Sequence, residues 1–284
     1  MCYNYLGDKF MKVKYIGFPM KDGCHVMGAD EGIKVLNDKI NFDKIIDIKQ
    51  YDKDLDTVIN GDLELAKTVS NYQKDGFIPV TIGGDHSLAI GSIAGSASNH
   101  DNLGVIWLDT HPDSNTDKTT TTHNIHGYPL AASMGIGMNE LTNLYENKIK
   151  VKYENVVMFA INDIDDPEQE LIDKYNIKHF TLEDINKKGI DTCINETISY
   201  LKEKTNEIHL SFDIDSINKD ECPGVNVPNR WSNGIKKEEA LKAVKRFTQE
   251  LNIVSMDMVE YNPLTDKGNK SLNIYLDTMK IIEK

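Results

Sequence analysis

The sequence predicts an α/β fold, a mostly parallel sheet covered by helices on both faces. Short apolar, β-rich runs recur along the chain, and the stretches between them carry helical periodicity. No internal repeat, low-complexity tract or Pro/Gly/Ser-rich linker breaks that alternation, so residues 1–284 read as one domain. Strands buried on both faces appear as continuous apolar runs, and strand–helix alternation builds a parallel sheet. Lys12 to Phe18 reads as the opening strand. Further strands are predicted at Ile78–Ile82, Leu103–Leu108, Val156–Ile161, Ile208–Phe212 and Ile253–Met256. Leu65, Val69 and Tyr72 form one helical stripe, and Ala240, Val244, Phe247 and Leu251 another. Glu168 to Tyr175, Ile190 to Lys204 and Ser271 to Ile282 supply three more helices.

The 284 residues include 45 acidic against 32 basic side chains, a formal charge of −13. That excess argues against nucleic acid as a partner, because phosphate binding needs clustered Lys and Arg. Cys2, Cys24, Cys193 and Cys222 have no CxxC spacing, which speaks against a disulfide framework or a thiolate zinc site. No apolar run approaches the roughly 20 residues of a membrane span. Asp8 falls where a signal peptide needs apolar residues, Met11 is an alternative start, and the cytoplasm is the expected location.

Ligands of parallel sheets bind outside the carboxyl ends of the strands. Four predicted strand ends carry polar groups: Gly83-Gly-Asp-His-Ser87, Asp109-Thr-His-Pro-Asp113, Asp213-Ile-Asp215 and Asp257-Met-Val-Glu260. In an extended chain Asp109, His111 and Asp113 point to one face, as do Asp213 and Asp215. Taken singly, each group has an ordinary explanation: a solvated turn, or a helix cap made by Asp85 or Ser87. Taken together they gather carboxylates whose repulsion and desolvation need a cation, and their number suits two. Mixed imidazole and carboxylate ligation points to Mn²⁺, Fe²⁺, Zn²⁺ or Ni²⁺. A metal pair about 3.5–4 Å apart acidifies a bridging water and so predicts hydrolysis.

The combination GGDHS, DxHxD, SFDxD and Met256-Asp-Met-Val-Glu-Tyr-Asn-Pro263 resembles the ureohydrolases, the family of arginases, agmatinases and formiminoglutamases. The resemblance runs from Ile16-Gly-Phe-Pro19 to Asn262-Pro263 and is strongest to arginases. It implies a three-layer α/β/α fold and a Mn²⁺ pair whose bridging hydroxide converts L-arginine to L-ornithine and urea. It further implies that His86 and His111 each ligate one metal and that Asp109 and Asp213 bridge the two. Asp113 then completes the His86 side, with a part in proton transfer, and Asp215 the His111 side. His126 matches a proton shuttle to the leaving amine, a task suited to a group titrating near neutrality. Glu260 matches the acid that holds the guanidinium, through a charge-assisted pairing.

The polar segment Ser114 to His126 parallels the loop that binds the α-carboxylate, placing Asn115, Thr120, Thr122 and Asn124 in contact roles. Asp163-Ile-Asp-Asp-Pro-Glu168 parallels the amino-group segment, placing Asp165 and Glu168 there. By composition alone the threonines read as a solvated loop and the two acids as a cap on the following helix. The chain departs from the arginase pattern at Asn218-Lys219 and in the loop Cys222–Pro228, with Val227 where a hydroxyl is common. It departs again at Arg230 and Trp231, and at His123, which replaces a glycine. Agmatinase or another guanidino-acid hydrolase is the alternative activity, and a catalytically silent metal-binding homologue a third reading. A metal-dependent deacetylase fits the motifs less well. As a ureohydrolase the chain is expected to form a homo-oligomer, a trimer or hexamer.

Overall fold

A computed structural model describes Cys2–Tyr3 and residues 9–227 and 233–283. Arg230 and Trp231, two of the departures above, lie outside the described residues. The strands are β1 (Cys2–Tyr3), β2 (Lys9–Phe10), β3 (Val13–Phe18), β4 (Lys44–Ile45) and β5 (Ile78–Gly83), then β6 (Gly104–Leu108), β7 (Val156–Ile161), β8 (Lys178–Thr181), β9 (Ile208–Asp213) and β10 (Ile253–Val259). β1 and β2 form a small antiparallel pair. The other eight form one sheet in the order β4-β3-β5-β10-β9-β6-β7-β8, with every described pairing parallel. All residues of β6, β7 and β9 are buried, which is why β6 and β7 read as uninterrupted apolar runs, while β9 alternates apolar residues with the buried His209, Ser211 and Asp213.

Both faces of the sheet are covered. On one, Val80, Ile106, Phe159, Phe212 and Met258 pack with Ile194, Leu201, Val244, Phe247 and Ile274 from the helices Ile190–Lys204, Lys237–Glu250 and Lys270–Ile282. On the other, Phe18 packs with Val58, Leu65 and Val69 of the helix Asp54–Lys74. There too, Trp107 and Met158 pack with Ala89, Ile93 and Ile172 of the helices Ala89–Ala97 and Asp166–Tyr175. This is the three-layer α/β/α arrangement. Phe247 meets Phe159 edge-on, with centroids 5.6 Å apart, a favoured aromatic geometry. No helix among the described residues is long and apolar enough to cross a membrane.

The predicted strands are all present; beyond them the structure adds the β1/β2 pair and, in the main sheet, β4 and β8. These last two lie at the sheet edges and are short and partly exposed, so neither carries a continuous apolar run. β10 runs three residues beyond its predicted end at Met256 and so takes Asp257 into the strand. In consequence Glu260 alone of that group reaches the carboxyl edge; Asp257 stays inside, accepting from Ser92 Oγ at 2.6 Å and lying 2.9 Å from His209 Nε2.

Candidate metal centre and active site

The four motif-bearing strands are consecutive in the sheet, in the spatial order β5, β10, β9, β6. Their carboxyl ends therefore form one continuous rim. After β5 the backbone passes so close to the neighbouring chain that a Cβ on Gly84 would sit 1.6 Å from the Met20 carbonyl oxygen. Only glycine fits. Asp85 caps the short 3₁₀ turn His86–Leu88 by accepting from Ser87 N, so the helix-cap reading of that residue is correct. The turn delivers His86, 1% exposed, over the sheet.

His86 Nδ1 faces three carboxylates, at 3.0 Å from Asp109 Oδ2, 3.0 Å from Asp113 Oδ2 and 3.3 Å from Asp213 Oδ2. Its Nε2 lies 2.8 Å from Ser211 Oγ, and its ring stacks on Trp107 with centroids 4.1 Å apart and planes within 6°. A hydrogen bond at Nε2 leaves Nδ1 as a lone-pair donor, the usual way a ligating histidine is held. His111 Nδ1 is 3.0 Å from Asp215 Oδ2 and 3.6 Å from Asp109 Oδ1, while its Nε2 is 3.8 Å from Asp163 Oδ2.

Two compact triads result, His86/Asp109/Asp113 and Asp109/His111/Asp215, with Asp109 common to both. Asp213 borders the first triad, and its Oδ1 accepts from Asp215 N at 2.8 Å. Extended-chain alternation is not what gathers these residues. β6 ends at Leu108, the chain then bends, and Asp113 adopts a left-handed φ of 44° that turns it to His86 while His111 faces the second triad. Asp215 likewise stands in a 3₁₀ turn, Ile214–Ser216.

The donor set fits divalent cations. His86 Nδ1 and Asp109 Oδ2 are buried without a hydrogen-bond partner, although 3.0 Å apart. Burial, reinforced by neighbouring carboxylates, pushes Asp113 and Asp213 above the usual carboxylate range and Asp215 to about 7. Such a cluster needs positive charge to stay ionised.

His126 stands beside this centre. Its Nδ1 is 2.9 Å from Glu260 Oε1, the oxygen that also accepts from His86 N at 2.7 Å. Burial opposes protonation of His126, but the Glu260 carboxylate, joined by the Cys24 thiol, holds its pKa well above the ordinary value. Glu260 Oε2 is buried and has no partner. Glu260 has a left-handed φ of 68°, a strain characteristic of functional positions.

A cavity of about 340 Å³ opens above the rim. Asn115, Thr120, Thr122, Asn124, Asp165 and Glu168 all line it, together with His111, Asp113, His126 and Val227. Glu260 is buried and not among the lining residues; it pairs with His126, which is. Asn124 Oδ1 is buried and unpartnered, whereas Asn115 Oδ1 accepts from Thr119 Oγ1 and its Nδ2 lies 3.4 Å from Asp165 Oδ2. Asp165 and Glu168 do cap the helix Asp166–Tyr175 through a capping box, so the capping reading and the cavity position hold together. Glu168 also accepts from Ser114 N at 3.0 Å and is pushed by burial to about 8. His123 has a φ of 61°, which explains why glycine suits that position.

Sequence reasoning passed over Ser211, Trp107, Asp163 and Cys24. Ser211 had a legible signal, since in a strand it shares a face with Asp213. Asp163 and Cys24 had none, because their contacts come from distant segments.

A family model described as the arginase family matches residues 16–279. The arginase of Bacillus subtilis strain 168 is 37% identical over 284 aligned positions, covering 93% of this chain and 94% of that one. The crystal structure of Bacillus caldovelox arginase superposes with a TM-score of 0.89 at 33% identity, over 96% of this chain and 98% of that one. Entamoeba histolytica arginase in complex with L-ornithine superposes with a TM-score of 0.86 at 29% identity, over 96% and 99%.

Proposed function

The chain belongs to the arginase family, and from that premise we propose that it hydrolyses L-arginine to L-ornithine and urea, using a Mn²⁺ pair. The observation that carries the reading is the junction of two triads sharing Asp109 with a cavity lined by Asn115, Thr120, Thr122, Asn124, Asp165 and Glu168. The first group suits hydrolysis and the second suits the two charged groups of an α-amino acid. The related Entamoeba histolytica enzyme, solved with L-ornithine, supports the choice of substrate.

His86, Asp109 and Asp113 would hold one metal and His111, Asp109 and Asp215 the other, with Asp213 contributing beside His86. When bound, such a pair supplies Lewis acidity that brings a water's pKa towards neutrality. The side chains around it do the rest. Glu260 Oε2, buried and unpartnered, offers a negative atom to the guanidinium. Asp113, with its pKa raised by burial, is suited to take a proton from the attacking water. His126, kept protonated by Glu260, donates to the leaving amine nitrogen as the C–N bond breaks. Asp165 and Glu168 face the substrate ammonium, and Asn124 with the threonine hydroxyls faces its carboxylate.

Urea release from L-arginine, agmatine, guanidinobutyrate and formiminoglutamate, measured on Mn²⁺-loaded protein, tests the proposal. L-arginine is expected to be the preferred substrate; a preference for agmatine overturns the choice of substrate and leaves the family standing. One observation favours that second reading: Val227, apolar where a hydroxyl is common, lines the cavity. Asn124→Ala separates the two. It should raise KM for arginine about tenfold or more if the carboxylate is bound there, and leave KM for agmatine unchanged.

The continuous eight-stranded sheet supports treating the chain as one ureohydrolase-like domain. On the family resemblance, the protein is proposed to be a cytoplasmic trimer or hexamer. Light scattering tests the count.

A further inference from the structure

His86, which faces the first triad, and His126, the proposed proton donor, come from different segments of the chain, yet hydrogen bonds join them twice. The first link is Glu260, whose Oε1 accepts from His86 N at 2.7 Å and lies 2.9 Å from His126 Nδ1. The second starts one residue before His86. Asp85 Oδ2 accepts from Gly23 N at 2.9 Å, and the Gly23 carbonyl accepts from His126 N at 3.0 Å. A closed ring therefore runs through His86, Glu260, His126, Gly23 and Asp85, and back to His86 along the chain. Glu260 holds the imidazole of His126, and the Asp85–Gly23 link holds the backbone that carries it.

Asp85 is well placed for that second task. It is 0% exposed, and its Oδ1 accepts from Ser87 N at 3.0 Å and from Ser87 Oγ. These two bonds fix the carboxyl group and leave Oδ2 for Gly23 N. The Asp85 N–H in turn donates to the Met20 carbonyl at 3.0 Å, so the residue grips the Met20–Gly23 turn at both ends. A cap needs only the bond from Ser87 N; the bond from Gly23 goes beyond capping. The approach is close. A Cβ on Gly23 would lie 2.4 Å from Asp85 Oδ1 and 2.6 Å from Ser87 Oγ, so a larger residue there would push the carboxyl off its partners.

We infer that Asp85 is a positioning residue for the reaction, holding His126 through Gly23 at a fixed place relative to the turn that presents His86. The inference rests on His126 acting as the proton donor, as proposed above. A proton donor works only within hydrogen-bond reach of the atom it protonates. A displacement of about 1 Å can cost about 10²-fold in rate.

A double-mutant cycle on the Mn²⁺-loaded full chain tests this, with urea release from its preferred guanidino substrate as the readout. Asp85→Asn keeps the shape of the side chain but offers one acceptor oxygen where two are used. It should lower kcat by about 10- to 10²-fold, with KM and metal content, the latter by elemental analysis, little changed. In a His126→Asn background the same substitution should have almost no further effect on kcat, because residues that act through one another are not additive. Gly23→Ala breaks the link from its other side and should give the same two results, which keeps the test open if Asp85→Asn fails to fold. Unchanged kcat in a folded variant, a loss of metal in proportion to lost turnover, or equal losses in both backgrounds overturns the inference and leaves Asp85 as a cap. Undiminished turnover in His126→Asn alone overturns the proton-donor role, and this inference with it.

Discussion

His126 illustrates how much one side chain owes to its neighbours. A histidine near the protein surface titrates close to neutrality, yet here the Glu260 carboxylate 2.9 Å away keeps the ring charged against the effect of burial. A charged ring is the form that can give a proton to a leaving amine. His126→Asn should therefore lower kcat by about 10²–10⁴-fold while metal content, read by elemental analysis, stays unchanged. Undiminished turnover would remove His126 from the chemistry. The identity of this residue was legible in the motif Asn124-Ile-His126, but its partners were not: Glu260 lies 134 positions away. Cys24, which also bears on the ring, arrives through a loop whose Gly23 carbonyl accepts from His126 N at 3.0 Å. Trp107 likewise stacks on His86 from a strand that no local pattern places beside it, whereas Ser211 is legible from the strand face it shares with Asp213.

At the scale of elements, the helix Asp166–Tyr175 does two jobs with one pair of acids. Asp165 and Glu168 form its capping box, and the same carboxyls face the cavity. Burial raises Glu168 from the usual 4.5 to about 8 despite backbone N–H donors from Ser114 and Asp165. A carboxyl whose folded pKa lies above its unfolded value contributes stability that is complete below about pH 4.5 and is lost as pH rises through about 8. The unfolding free energy of the native sequence, measured in urea, should accordingly fall over that window relative to Glu168→Gln. Parallel pH profiles for the two proteins would contradict the assigned environment. The element boundaries show where local reading stops. The interior strands β6 and β7 are readable because burial on both faces leaves an unbroken apolar run, and β9 because Ile208, Leu210 and Phe212 recur at the strand period. The edge strands β4 and β8, half open to solvent, leave none. Local pattern ends β10 at Met256 because Asp257 looks like a strand end, whereas His209 and Ser92 engage its Oδ2 inside the sheet.

For the molecule as a whole, the metal centre concentrates repulsion at the middle of the sheet. Asp113, Asp213 and Asp215 are all raised by burial and by the neighbouring charge of Asp109, Asp215 to about 7. Without metal, each contributes stability fully present below the ordinary carboxylate pKa of 3.8, and Asp215 loses its share as pH rises through about 7. Chelated protein should therefore lose Tm between about pH 5 and 8, while Mn²⁺-loaded protein should not. Calorimetry with and without chelator checks this; a gap that stays constant with pH would mean that the carboxylates are compensated by something other than the metals.

Local pattern by itself determined the α/β class, the interior strands, and which side chains stand at strand ends, because burial and backbone period act on neighbouring residues. It also determined that these side chains were acids and imidazoles in a number that calls for metal. Only the tertiary structure decided that strands beginning at residues 78, 253, 208 and 104 lie side by side, bringing the four groups to one rim. It alone decided that Asp109 is shared between two triads while Asp113 turns back to His86 through a left-handed backbone. Strand order depends on how the crossover helices pack across long sequence separations, and ligand geometry on bends after the strands end. Neither leaves a period in the chain to read.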